Sequence, residues 1–280
     1  DFIIHSANDI LIDEFGKTLS DANVNVIEPF AGTGTFVTRF LQSGIIKKED
    51  LARKYQKELH ANEIVLLAYY IAAINIEQTY QAVANVPYER FPGIVLTDTF
   101  QTTENDSART QGQMDLFSPE NGKRIITQGE TPIEVILSNP PYSVGQTSAN
   151  DANQNLKYSV LDNRIKEKYA KYSTATTVRN LYDSYIRAMR WASDRIGEKG
   201  IIGFVTNGSF IDANNMDGIR KCLSDEFTTV YCFNLRGNRR TSGETSRKEG
   251  GGIFGSGSRA PIAITILIKN PDKPQKGQIF

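Results

Sequence analysis

Short apolar runs that alternate with amphipathic stretches constrain most strongly how these 280 residues can fold. The runs are "VNVIE" (24–28), "ELHANE" (58–63), "GIVLTD" (93–98) and "IEVILSN" (133–139), with helical patterns near 35–43 and from Glu63 to about Asn75 between them. A second set follows: a helix near 180–196, "GIIGFVTN" (200–207), a helix near 214–224, "FTTVYCFNL" (227–235) and "APIAITILIK" (260–269). Alternation of this kind predicts an α/β chain with a parallel sheet and crossover helices. Three polar stretches interrupt it, 101–131, 143–180 and 236–259, and loops of that length in a compact domain are usually functional or disordered.

Lys+Arg and Asp+Glu both total 32, so the mean field draws no nucleic acid, and such a partner would have to be held by local patches. Cys222 and Cys232 are the only cysteines, with no CxxC pair or His cluster around them. That argues against a disulfide scaffold and a metal site, and for a reducing cytoplasm. The longest apolar stretch, "EIVLLAYYIAAINIE" from Glu63, is shorter than a membrane span and bounded by acids, so a buried helix in a soluble chain is expected. The first residues, "DFIIHSANDILIDEFGKTL", already show helical spacing, which reads as a fragment of a longer polypeptide.

Four constellations sit on the ends of the expected strands. In "VIEPFAGTGTF" (26–36), Gly32 and Gly34 permit a sharp turn and close approach of a ligand to the backbone; a plain strand-to-helix turn would use the same residues. The GxG spacing lacks the third glycine of a dinucleotide loop, and there is no Gly-Lys-Ser/Thr. Glu63 at the tip of the second strand can accept from ribose hydroxyls, or can be a solvated acid at a helix start. Asp98 can accept from an adenine amine beside the apolar face of Phe100, or can be a turn cap. In "SNPPY", Pro140 and Pro141 stiffen the corner and supply no N–H, Asn139 adds an amide oxygen beside the Pro140 carbonyl, and Tyr142 offers a ring for stacking.

"EPFAGTGTF", "HANE", "LTDTF" and "SNPPY", in this order, resemble motifs I to IV of the S-adenosylmethionine-dependent amino methyltransferases, in particular the DNA adenine-N6 class. "NLYDSYIRAMRWASDRIGEKGIIGFVTNGSFI" and "RAPIAITILIKNP" resemble the downstream half of that domain in single-chain Type ISP restriction-modification enzymes, so the resemblance covers essentially the whole chain. Glu28 stands where many relatives have Asp, and the family's upstream "TP" motif is absent from these residues.

The resemblance implies a doubly wound, mostly parallel seven-stranded sheet with helices on both faces and one antiparallel strand near an edge. It implies a methyltransferase catalytic domain over 1–280, with 143–180 and 236–259 as DNA-facing loops. S-adenosylmethionine would be held by Glu28, Phe30, Ala31, Gly32, Thr33, Gly34, Phe36, Glu63, Asp98, Phe100 and Asn139. Asn139, Pro140, Pro141 and Tyr142 would form the catalytic corner, and Tyr142 and Phe254 would flank a flipped base. Lys157, Arg164, Lys166, Lys168, Lys171 and Arg179, with Arg236, Arg239, Arg240, Arg247 and Lys248, could hold phosphates of double-stranded DNA or simply be solvated surface. Nuclease, translocase and target-recognition domains would lie in the same parent chain. A protein-glutamine or RNA N-methyltransferase would share the corner's chemistry, and a silent binding domain is an option from another class.

Overall fold

The fold is that of a computed structural model, which describes residues 1–104, 119–142, 158–176, 179–238, 243–250 and 260–280. All seven expected strands are present: β1 (Val26–Glu28), β2 (Leu59–Glu63), β3 (Ile94–Leu96), β4 (Val135–Ser138), β5 (Gly200–Asn207), β6 (Thr229–Arg236) and β7 (Ile262–Lys269). The sheet nevertheless has eight strands, because β8 (Gln278–Ile279) adds to the edge in parallel with β6. Its two exposed residues are too few to show a pattern in sequence; backbone bonds Gln278 N to Thr228 O and Phe280 N to Val230 O, both 3.0 Å, decide it.

The strand order is β3-β2-β1-β4-β5-β7-β6-β8. β3, β2, β1, β4 and β5 run parallel, and β7 lies antiparallel between β5 and β6. The order reverses between β1 and β4, and ligands of doubly wound sheets bind outside the strand C-terminal ends at such a point. β1, β3 and β4 are buried at every residue, which is why they read as unbroken apolar runs rather than alternating ones.

One face is covered by α1 (Phe2–Phe15), α2 (Thr35–Gln42) and α3 (Leu66–Ala84), whose Ile4, Leu11, Val37, Phe40, Ala72 and Ile76 join a single core. The other carries α5 (Ser159–Lys168), α6 (Ser184–Arg195) and α7 (Asp217–Glu226), packed through Leu161, Ile165, Tyr185, Met189, Ile219 and Leu223. Between these sets, α4 (Pro119–Glu130) closes the β3 edge. Asn121 Oδ1 accepts from Leu96 N at 3.0 Å and its Nδ2 donates to Leu96 O at 2.9 Å, so a side-chain amide pairs with the edge strand as a neighbouring strand would. Polar side chains do this work, so α4 had no apolar signature within 101–131. A last short helix, α8 (Gly243–Glu249), falls within 236–259.

Two expectations about the apolar stretch after Glu63 need correction. α3 runs on to Ala84, where Asn85 takes a left-handed conformation (φ 55°) and ends it. The helix is also not buried all round: Leu67 is 70% exposed, Tyr70 56% and Ile74 52%, because only the face bearing Tyr69, Ala72, Ile76 and Tyr80 meets the sheet and α2.

His60, on β2, has a buried Nε2 with no hydrogen-bond partner among the described residues. Burial first, and the charge of Arg195 second, push its imidazole down to about 4 against the opposing pull of Glu58. Between that value and the ordinary 6.5, the unfolded chain holds a proton that the folded chain refuses. Stability from neutral His60 is therefore full above about pH 6.5 and falls toward pH 4, by up to about 3 kcal/mol. Thermal melts across this window should show the decline, and His60→Leu should make it shallower. An unchanged slope in the variant would remove His60 from the account.

Candidate active site

β1 delivers the chain into the glycine turn with Glu28 as its last residue. The Glu28 carboxylate turns inward and accepts from Phe36 N (3.4 Å) and Val37 N (3.2 Å), the unpaired donors of the first turn of α2. Burial drives its carboxyl well above the usual range, and the two N–H groups only partly oppose this. Gly32 (φ 55°) and Gly34 (φ 81°) are both left-handed, but for different ends. A Cβ on Gly34 would lie 3.1 Å from the Ile76 side chain and 3.3 Å from Ala72 Cα, so its absence lets α2 and α3 close together. A Cβ on Gly32 would meet nothing within 4 Å among the described residues, and Gly32 is exposed, so the loop backbone is open on that side. Thr33 is exposed, and its carbonyl accepts from Asn75 Nδ2 at 2.9 Å.

Glu63, at the tip of β2, ties this loop down: Oε2 accepts from Gly32 N and Oε1 from Val65 N, each at 2.7 Å. Ala31 N donates to Asn62 O at 2.9 Å, so the loop is bonded to β2 twice. Beyond β3, Asp98 caps the 3₁₀ turn Thr99–Thr103. Its Oδ1 accepts from Phe100 N at 3.0 Å, and its Oδ2 from Tyr158 Oη at 2.8 Å. The Phe100 ring stands between Phe30 (5.3 Å between centroids) and Tyr158 (5.2 Å). Thr99 Oγ1 bonds Pro29 O and accepts from Asn62 Nδ2 at 3.3 Å, which draws the tips of β1, β2 and β3 together. Three acids thus stand at the ends of three adjacent parallel strands, around one open loop and an aromatic wall.

Across the switch point, β4 ends in the proline corner. Asn139 and Pro141 are exposed, Pro140 is buried and Tyr142 is half-buried. Ser138 Oγ donates to Phe30 O at 3.5 Å, joining the corner to the glycine loop. Tyr142 Oη lies 2.5 Å from Asn139 Oδ1 and 3.1 Å from Val205 O on β5, so its single proton is shared between an exposed amide and a strand carbonyl. Its ring meets Tyr185 edge-on at 6.5 Å. An exposed amide oxygen on a stiff, donor-free corner can accept from an amine, and the nearby ring can stack on a planar group.

The search of solved structures supplies close relatives, whereas no protein-family model and no curated protein matches the chain. A nuclease-deletion mutant of the Type ISP restriction-modification enzyme LlaGI, in complex with a DNA substrate mimic, is 50% identical over 98% of this chain, with a TM-score of 0.91. The ATP-dependent Type ISP enzyme LlaBIII, bound to DNA, is 44% identical over 99% of it, with a TM-score of 0.88. From end to end, the chain is similar to part of a Type ISP restriction-modification enzyme. It spans only 23% and 19% of those two proteins. At the level of fold alone, a type I restriction-modification methyltransferase subunit from Streptococcus thermophilus matches 93% of this chain and 42% of its own at 16% identity and a TM-score of 0.52.

By their contacts the basic residues divide. Arg164 is committed to Asp194 (2.6 Å), and Lys168 stands 4.0 Å from Glu226. Lys171 lies over the Tyr172 ring, Arg236 donates to Lys248 O at 3.1 Å and Lys248 pairs with Glu244 at 3.5 Å; Lys166 and Arg247 are exposed. Arg179 opens the 3₁₀ turn Arg179–Tyr182. Lys157, Arg239, Arg240 and Phe254 lie outside the described residues. Among the described residues no three His, Cys, Asp or Glu side chains cluster as a metal site would need, and no helix is long and apolar enough to cross a membrane. Tyr158, Tyr185 and Val205 are contacts that sequence reasoning missed, since each meets its partner across 43 residues or more and nothing local marks the residue as belonging to the site.

Proposed function

We propose that residues 1–280 form the methyl-transferring domain of a restriction-modification enzyme, acting on the N6 amine of adenine in double-stranded DNA with S-adenosylmethionine as donor. The observation that carries this is the placement of an exposed Asn139 amide on the β4 tip, next to β1 and its open glycine loop, in a chain similar throughout to DNA-bound Type ISP enzymes. The donor set fits the cofactor. Glu63 has one described donor per oxygen, and the Asp98 carboxylate takes three donors, from Tyr158, Phe100 N and Gln101 N, so both acids keep acceptor capacity for a ligand; the Gly32 backbone is open, and Phe30 and Phe100 form an apolar wall. Glu63 would accept from ribose hydroxyls and Asp98 from the adenine amine, while Ala31, Thr33 and Phe36 complete the loop. Glu28 would act one step removed, by anchoring α2 beneath that loop.

When bound, the cofactor supplies an electrophilic methyl group. The chain supplies position. Asn139 Oδ1 and the Pro140 carbonyl accept the two hydrogens of the target amine, turning its lone pair out of conjugation and toward the methyl. Pro141 and Pro140 keep this corner rigid. Asn139 Oδ1 accepts from the Tyr142 hydroxyl and keeps its second lone pair for the amine, while the Tyr142 ring would stack on a base drawn out of the duplex, with Phe254 proposed for its other face. Exposed Lys166, Arg247 and their neighbours in 143–180 and 236–259 would face phosphates. Nuclease, translocase and recognition functions would belong to other domains of the parent chain.

Expression of the protein in a host lacking DNA methylation, followed by mass spectrometry of nucleosides and peptides, tests the reading. N6-methyladenine should appear in the genomic DNA. Modified glutamine or modified RNA with unmodified DNA would transfer the site to the rival amine substrates.

A further inference from the structure

Tyr158 enters the site from a part of the chain that carries no motif. It stands directly before α5, sixty residues after Asp98, is 2% exposed, and donates its hydroxyl to Asp98 Oδ2 at 2.8 Å. The other oxygen, Oδ1, accepts from Phe100 N at 3.0 Å. The Gln101 backbone N–H also bonds the carboxylate. Rotation would therefore break these bonds, and three donors on two oxygens leave acceptor capacity for a ligand.

Tyr158 is itself held firmly. Its ring meets Phe100 edge-to-face, with centroids 5.2 Å apart and planes at 72°, and the Arg187 guanidinium lies 5.3 Å from its centroid. Arg187 is fixed in turn by two bonds to Asp162, at 2.8 and 3.0 Å. Glu104 accepts from Val160 N (2.9 Å) and Leu161 N (3.1 Å), pinning the first turn of α5 beside the β3 tip. The phenol thus approaches Asp98 from a rigid frame, and the direction of the carboxylate is set before any ligand arrives.

We propose that Tyr158 is a positioning residue that aims Asp98 at the exocyclic amine of an adenine ring and so sets the preference for a 6-amino over a 6-oxo purine in the cofactor. This rests on the cofactor site proposed above. An ionised carboxylate can only accept, so it bonds an amine and repels the oxygen of a 6-oxo purine. Without the Tyr158 proton, Oδ2 loses its one side-chain donor among the described residues, the carboxyl is less firmly aimed, and once protonated it could donate to a 6-oxo group. The discrimination would then fade.

Calorimetric titration of the full protein with S-adenosylhomocysteine and with its 6-oxo analogue, S-inosylhomocysteine, separates the possibilities. The wild type should bind the amino ligand at least about tenfold more tightly, and Tyr158→Phe should lose about tenfold on the amino ligand and little on the oxo ligand. The phenylalanine keeps the ring against Phe100 and Arg187, so the melting temperature should hold. Equal losses on both ligands would mean a merely structural role, and no loss on either would mean none; each overturns the proposal. Tighter binding of the amino ligand by the variant would also overturn it, by showing that the hydroxyl competes for Asp98. If the wild type bound neither ligand, the cofactor site itself would fall, a result unlike the other three.

Discussion

Asn139→Ala abolishes methyl transfer, with a rate loss of at least about a hundredfold to a thousandfold, while cofactor affinity changes by no more than about twofold. The amide oxygen is one of two acceptors that reshape the target nitrogen, and this matters most as the new bond forms; a contact made mainly in the transition state lowers the rate rather than ground-state binding. Collapse of the fold is not the cause, because Asn139 is exposed and its described side-chain partner, Tyr142, keeps a second acceptor in Val205 O. Single-turnover transfer to DNA, measured beside a cofactor titration and a melt, gives the needed comparison. Transfer at the wild-type rate would sink the mechanism, and equal losses in transfer and cofactor binding would move Asn139 into the cofactor site.

Arg190→Ala destabilises the protein by about 3–5 kcal/mol. Arg190 is 2% exposed on α6 and donates to Glu226 at 2.8 Å and Asp194 at 2.7 Å, with its guanidinium 5.5 Å from the Tyr169 ring centroid. Truncation would leave Glu226 with its bonds from Ser193 (2.7 Å) and the distant Lys168, and would open a void beside Tyr169. Burial raises the Glu226 carboxyl, but Arg190 and Ser193 outweigh it and hold it below the usual value. The stabilisation is therefore present above the ordinary glutamate range and is lost as pH falls through the lowered folded value. Urea unfolding at neutral and acid pH measures both parts. A change below about 1 kcal/mol at neutral pH would show that water reaching half-open Glu226 had already removed most of the pair's weight. The consequence for function is indirect: α6 carries Arg187 as well, so loosening it loosens the frame around Tyr158 and Asp98.

Much of this architecture was legible because strands buried on both faces, such as β1, β3 and β4, read as unbroken apolar runs. The seven principal strands stood out as apolar runs, and Gly32, Gly34, Glu63, Asp98 and Asn139 stood out at their ends. β8 and α4 did not, since one is two exposed residues held by backbone bonds and the other is held by polar side chains such as Asn121. The outer face of α3 was misjudged for a related reason. An apolar composition tells what a helix can bury, not which side the rest of the chain covers.

By itself, the sequence determined the strand-and-helix alternation and the order of the acid, glycine and proline motifs, because these follow from local periodicity and backbone chemistry. Only the tertiary structure decided that Glu28 turns away to cap α2 and that each Glu63 oxygen accepts one backbone donor. It alone placed the Tyr142 hydroxyl between Asn139 and Val205 and brought Tyr158 to Asp98. The physical reason is the same in each case. A carboxylate or a phenol must find partners when it is buried, and which partners it finds, whether a few residues away as for Glu28 or sixty away as for Tyr158, is settled only when the sheet and its helices close.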